Sequence, residues 1–319
     1  MCKKCFLCDG ELTKNNLSKE HIIKNSIGGK KTVKYFICKD CNDETGKEWD
    51  CLIDKDFGEI LSVYFQIKRD RGKIKPIEVK DTTTNYSYLI SDKIEQKTPE
   101  YLYDAQNGKI TITAFKKERC QQYLKQLKSK KKIPNDTILD STERIEDKVE
   151  INIKLNLKIP ELTSNFSKSV IKSALALLSE YQDCNILKSC NLAKSFLNGE
   201  DNNCIKYFYS YDPIINRPFA VPLHCVYIFN EDNLLKAYIE LFGIARYIVI
   251  LSNQYTNDEN INLLYAINPR SAVELKNLKF NFPKQIDSKN RLHPATIHEI
   301  LNKEILFEKE SEKVFVASV

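Results

Sequence analysis

Between residues 149 and 159 apolar and polar side chains alternate without a break. Val149, Ile151, Ile153, Leu155, Leu157 and Ile159 fall on one side, Glu150, Asn152, Lys154, Asn156 and Lys158 on the other. A period of two predicts a strand with one buried face. Near the N-terminus, Ser18 to Ile23 and Val33 to Ile37 read as two strands joined by a turn at Gly28-Gly29. After Cys41 the period changes, with Trp49, Leu52 and Ile53 at helical spacing behind the acids Asp43 and Glu44, which suit a helix N-terminus. Ile60 to Phe65, Tyr86 to Ile90 and Ile110 to Phe115 look like short strands, and Asn107-Gly108 carries a hairpin signal. Cys120, Tyr123, Leu124 and Leu127 then mark an amphipathic helix ending near Ile133-Pro134.

The C-terminal half predicts helices at Ser167 to Tyr181 and Asn185 to Leu197. A β-α-β unit follows: a strand over Leu223 to Phe229, a helix from Glu231 to Phe242 stopped at Gly243, and a strand over Ile244 to Leu251. The expected class is α+β. Its expected parts are an N-terminal module over 1–58, a small β region with a basic helix over 59–135, a polar linker over 136–148 and an α/β-type domain over 149–319. The β-α-β unit has no glycine-rich phosphate loop, so a nucleotide cofactor is not expected.

Composition narrows the setting. No apolar run approaches the roughly 20 residues of a membrane span, so a soluble, cytoplasmic protein without a membrane partner is expected. Four of the eleven cysteines form two CxxC pairs, Cys5/Cys8 and Cys38/Cys41; the others show no framework spacing and are expected as free thiols. The net charge of +6 is unevenly spread: Lys109 to Lys132 holds nine Lys/Arg against Glu118 alone, a net of +8. That density is the footprint of a polyanion partner or, more plainly, a solvated lysine-rich helix face. Lys117, Arg119 and Lys128 are its candidate nucleic-acid contacts, and Lys24, Lys30 and Lys31 around the glycine turn are further ones.

Two CxxC pairs separated by twenty-nine residues predict one tetrahedral zinc site, with Cys2/Cys5 as an alternative first pair. Zinc alone means only a stapled segment; the residues inside the staple carry the chemistry. His21 is the only histidine ahead of His224 and suits a general base near neutral pH. Glu20 precedes it on a presumed strand, where neighbours point to opposite faces. Asn42 offers a carbonyl oxygen of the kind Mg²⁺ accepts. His224-Cys225, within an apolar strand, reads as a satisfied core pair, and His293 and His298 as structural.

The order Cys5-Phe6-Leu7-Cys8, Ser18-Lys19-Glu20-His21-Ile22-Ile23, Gly28-Gly29 and Cys38-Lys39-Asp40-Cys41-Asn42, followed by Gly46 and Asp50, resembles the HNH endonucleases, the ββα-metal nucleases, in their four-cysteine zinc branch. The resemblance covers about the N-terminal sixth of the chain. It implies that Cys5, Cys8, Cys38 and Cys41 hold structural zinc and that Glu20 and Asn42 bind a catalytic Mg²⁺ or Mn²⁺. It also implies His21 as the general base, a supporting role for Asp50, and DNA as substrate. The family's middle Asn has no counterpart in Thr32-Val33-Lys34-Tyr35-Phe36-Ile37. An HNH head on an α/β body is reminiscent of defence nucleases, with the C-terminal part as the place for a homodimer contact or a small-molecule or protein activator. The competing reading is a non-catalytic zinc protein that only binds DNA.

Overall fold

The computed structural model describes residues 3–104, 106–107, 109–114, 117–137, 141–145, 155–156, 160–180, 184–200, 202–256, 260–283, 304–305 and 314–318. The class is α+β, and among the described residues every strand pairing is antiparallel. The chain divides into two compact units, one of Met1–Ile74 with Leu157–Lys303 and one of Lys75–Asn156 with Glu304–Val319. These units do not follow the linear boundaries expected at 58, 135 and 148, because the N-terminal stretch shares a unit with 157–303 and leaves the intervening chain to the other.

In the first unit, Glu20–His21 and Thr32–Val33 form a two-stranded hairpin with Glu20 opposite Val33 and His21 opposite Thr32. Its turn uses both glycines. Gly28 sits at φ 95°, and a Cβ on Gly29 would lie 1.7 Å from the Ile23 carbonyl oxygen. A helical run over 39–65 follows, α-turns at Lys39–Thr45, Cys51–Ile53 and Glu59–Phe65 alternating with π-turns at Gly46–Asp50 and Asp54–Gly58. Ile60 to Phe65 is therefore helix, not strand. Leu61 and Val63 are buried as its continuation, and the short apolar run had no period of its own to decide the matter.

The body of this unit is a six-stranded sheet in the order Ile205–Tyr207, Ala245–Ser252, Leu234–Leu241, His224–Glu231, Asn262–Asn268, Val273–Glu274. The helix expected over Glu231 to Phe242 is strand instead, and the unit is a meander. Asp232 and Asn233 both take positive φ, as a two-residue primed hairpin turn requires. Leu234–Leu241 is buried over most of its length, so its residues do not alternate in polarity and imitate a helix. The Ser164–Leu178 helix, capped by Thr163, packs on this sheet and on the Glu20–His21 strand and the Gly46–Asp50 turn. The helix expected over Asn185 to Leu197 is two, Cys184–Lys188 and Asn191–Leu197. Cys184 is disulfide-bonded, against the expectation of free thiols.

The second unit contains a three-stranded sheet (Ile77–Lys80, Ser87–Ile90, Ile94–Gln96) and a four-stranded one in the order Glu100–Asp104, Lys109–Ala114, Val314–Ser318, Ser141–Ile145. Part of the expected linker, Ser141–Ile145, is thus a strand. The Lys117–Ser129 helix buries Cys120, Leu124 and Leu127 against Ile110, Ile112, Ala114 and Ile133, as its period predicted. Of the alternating 149–159 segment, Leu155–Asn156 is strand; its other residues lie outside the described ones, as do His293 and His298. Among the described residues no helix is long and apolar enough to cross a membrane.

Candidate active site and zinc centre

Cys5 and Cys8 come from the N-terminal knuckle, Cys38 from the N-cap of Lys39–Thr45 and Cys41 from its first turn. Their four sulfurs lie within 4.8 Å of one another, with Cys8 and Cys38 at 3.9 Å. Tetrahedral coordination with Zn–S near 2.3 Å places sulfurs about 3.8 Å apart, so this donor set fits structural zinc. The Cys38 and Cys41 amides donate to the sulfurs of Cys5 (3.3 Å) and Cys38 (3.5 Å), stabilising thiolate charge. Burial, then the neighbouring sulfurs, push the Cys41 thiol up. A bound dication reverses that penalty. Among the described residues, the pair that joins Cys38 and Cys41 is Cys5/Cys8; Cys2, the alternative, lies outside them.

The staple ties the hairpin to the start of the helical run, and on the hairpin Glu20 and His21 part company. His21 is half-buried; burial, followed by the charge of Arg71, lowers its pKa, while Asp70 and Asp50 pull the other way. Its imidazole is therefore a neutral acceptor near pH 7. Asn42 is half-exposed one residue beyond Cys41, its backbone committed to the helix through Cys38 and Thr45.

Glu20 is only 5% exposed. Its Oε1 lies 3.1 Å from Nζ of Lys172, which also donates to Asp50 Oδ2 at 2.6 Å and to Thr45 Oγ1 at 3.1 Å. Ser169, one turn earlier on the Ser164–Leu178 helix, donates to Asp50 Oδ1 at 2.5 Å. One ammonium thus faces two buried carboxylates, and all three of its protons have acceptors. Burial raises the Glu20 pKa to about 7, with Asp50 adding to the rise and Lys172 opposing it.

Sequence reasoning missed Lys172 and Ser169. The available signal was one lysine among Val170, Ile171, Ala174 and Leu175, an apolar stretch where a charge is expected only with a partner. With Lys172 in place, Glu20 does not fit as ligand to a catalytic divalent ion: its carboxylate is buried and bound to another cation.

The lysines expected to contact phosphate around the turn are engaged within the chain. Lys24 pairs with Asp54 at 3.5 Å, Lys31 with Glu180 at 2.5 Å, and Lys30 with Asp70. The main-chain amides of Lys30 and Lys31 both donate to Tyr265 Oη at 3.0 Å. In the second unit Arg119 is exposed and Lys128 half-exposed, as on an open helix face; the side chain of Lys117 lies outside the described residues. His224 is buried with both ring nitrogens bonded, as expected of a core residue.

No curated protein and no solved structure matches this chain. Residues 5–58, the segment from Cys5 through the second π-turn, match the HNH endonuclease family.

Proposed function

We propose that this protein is a metal-dependent HNH-type endonuclease that hydrolyses DNA phosphodiester bonds with His21 as general base. The observation that carries the reading is the family match over 5–58 together with a half-buried imidazole whose environment keeps it unprotonated. His21 takes a proton from a water molecule, and the resulting hydroxide attacks phosphorus. The bond to the 3′ oxygen breaks, leaving a 5′-phosphate and, once protonated, a 3′-hydroxyl. Mg²⁺ or Mn²⁺ is the expected partner for the charge that builds on the phosphate, while zinc keeps the hairpin and helix in register. The basic helix of the second unit supplies a surface for the DNA backbone.

The test is cleavage of a labelled duplex by zinc-loaded full-length protein, with Mg²⁺ or Mn²⁺ and with chelator, followed by ligation of the products. Divalent-dependent products that ligate directly support the reading. Binding without scission under all of these conditions overturns it in favour of a DNA-binding zinc protein.

A further inference from the structure

Resting on the nuclease reading, we infer that Lys172 is an internal cation that competes with a divalent ion for Glu20, so that the Ser164–Leu178 helix controls whether the nuclease head can take up its metal. Three oxygens from three places between Glu20 and Asp50 converge on one ammonium: Glu20 Oε1 on the hairpin, Asp50 Oδ2 on the first π-turn and Thr45 Oγ1 on the helix before it. Carboxylate and hydroxyl oxygens are what a hard divalent ion selects. Here a lysine 2% exposed takes the place.

Removing one charge from such a buried set leaves the others uncompensated, so an ion entering at Glu20 has to displace the ammonium or bind in its absence. Ser169 and Lys172 are one turn apart and share a helix face. A shift of this helix would therefore withdraw both contacts to Asp50 together. That helix also packs on the six-stranded sheet, which gives the 157–303 stretch a mechanical route to the metal site.

The experiment measures Mn²⁺ binding by calorimetry and paramagnetic resonance on zinc-loaded full-length wild type, Lys172→Met, Lys172→Arg and Lys172→Met/Glu20→Gln. The Met variant is expected to bind Mn²⁺ about tenfold more tightly than wild type or better. The Arg variant should show no gain, and Glu20→Gln should cancel it. If Lys172→Met is unfolded without added ion, recovery of its circular dichroism on adding Mn²⁺ carries the same conclusion. Unchanged or weaker Mn²⁺ binding, or a variant that Mn²⁺ does not refold, overturns the inference. DNA cleavage is assayed separately on the same samples. A gain in Mn²⁺ binding with no cleavage by any variant overturns the nuclease reading alone, whereas active wild type without the gain overturns this inference alone.

Discussion

His224 shows how one buried side chain joins distant stretches of the sequence. Its Nδ1 accepts from the Phe242 amide at 3.0 Å, so Nε2 carries the proton and donates to the Ile27 carbonyl at 2.8 Å. Burial outweighs the favourable Ile27 bond and brings its pKa down to about 3 from 6.5. The unfolded chain then binds more protons than the folded one at acidic pH. The stability linked to this group is full above about pH 6.5 and falls by roughly 1.4 kcal/mol per pH unit below it, until about pH 3. Comparing denaturant midpoints of wild type and His224→Gln at about pH 7.5 and about pH 5.5 isolates the effect, because Glu20 and the other acids cancel in the difference. The wild type's advantage should shrink on acidification, and a constant gap would contradict the assignment. Gly29 is the second telling residue. A Cβ there would meet the Ile23 backbone at 1.7 Å and 2.4 Å, which cannot move aside, so Gly29→Ala should cost about 3 kcal/mol or more in thermal or chemical unfolding. The glycine pair was legible because a glycine-poor chain sets two side by side where its backbone cannot carry a Cβ. A lone lysine in an apolar stretch marked Lys172 as needing a partner, but the partners themselves were not legible, because Glu20 and Asp50 are remote from it in the chain.

Among the elements, the hairpin and helix joined by the cysteine cluster were readable because two CxxC pairs can meet only if the intervening chain doubles back; of the strand expected over Val33 to Ile37, however, only Val33 is strand, and the chain bends through Tyr35 at positive φ to reach Cys38. The basic helix was readable from its period, and Glu100–Asp104 and Lys109–Ala114 pair antiparallel on either side of the segment that carried the Asn107-Gly108 signal, Gly108 itself lying outside the described residues. The Leu234–Leu241 strand was not, since a strand covered on both faces loses its alternation and the polar residues of its turn, Asp232 and Asn233, are equally at home at a helix start. Ile60 to Phe65 failed for a related reason, as a short apolar run inherits its conformation from the helix before it. The staple itself is testable. Each folded chain should retain one zinc ion, and Cys41→Ser or strong chelation should release it and unfold the hairpin, seen by metal analysis and loss of amide-exchange protection over 5–58. Full protection after complete zinc removal would contradict a structural role for the ion.

At the scale of the molecule, the family match ends at residue 58, yet the unit holding it extends through 157–303. The contacts explain why. Phe242 packs on Phe57 and Phe65, Tyr265 binds the Lys30 and Lys31 amides, His224 holds the Ile27 carbonyl, and Lys172 sits between Glu20 and Asp50. A linear division of the sequence into head, linker and body could not anticipate this, because composition reports local preference and not which distant segments share a core. The Ser164–Leu178 helix and the six-stranded sheet are therefore part of the support of the candidate site. The measurement that bears most directly on the proposed activity compares zinc-loaded wild type with His21→Ala on supercoiled plasmid in Mn²⁺, with DNA binding followed on the same samples. The expected result is nicking by wild type and its loss by about a hundredfold or more in the variant, with DNA binding retained. Equal nicking by both proteins would contradict His21 as the general base.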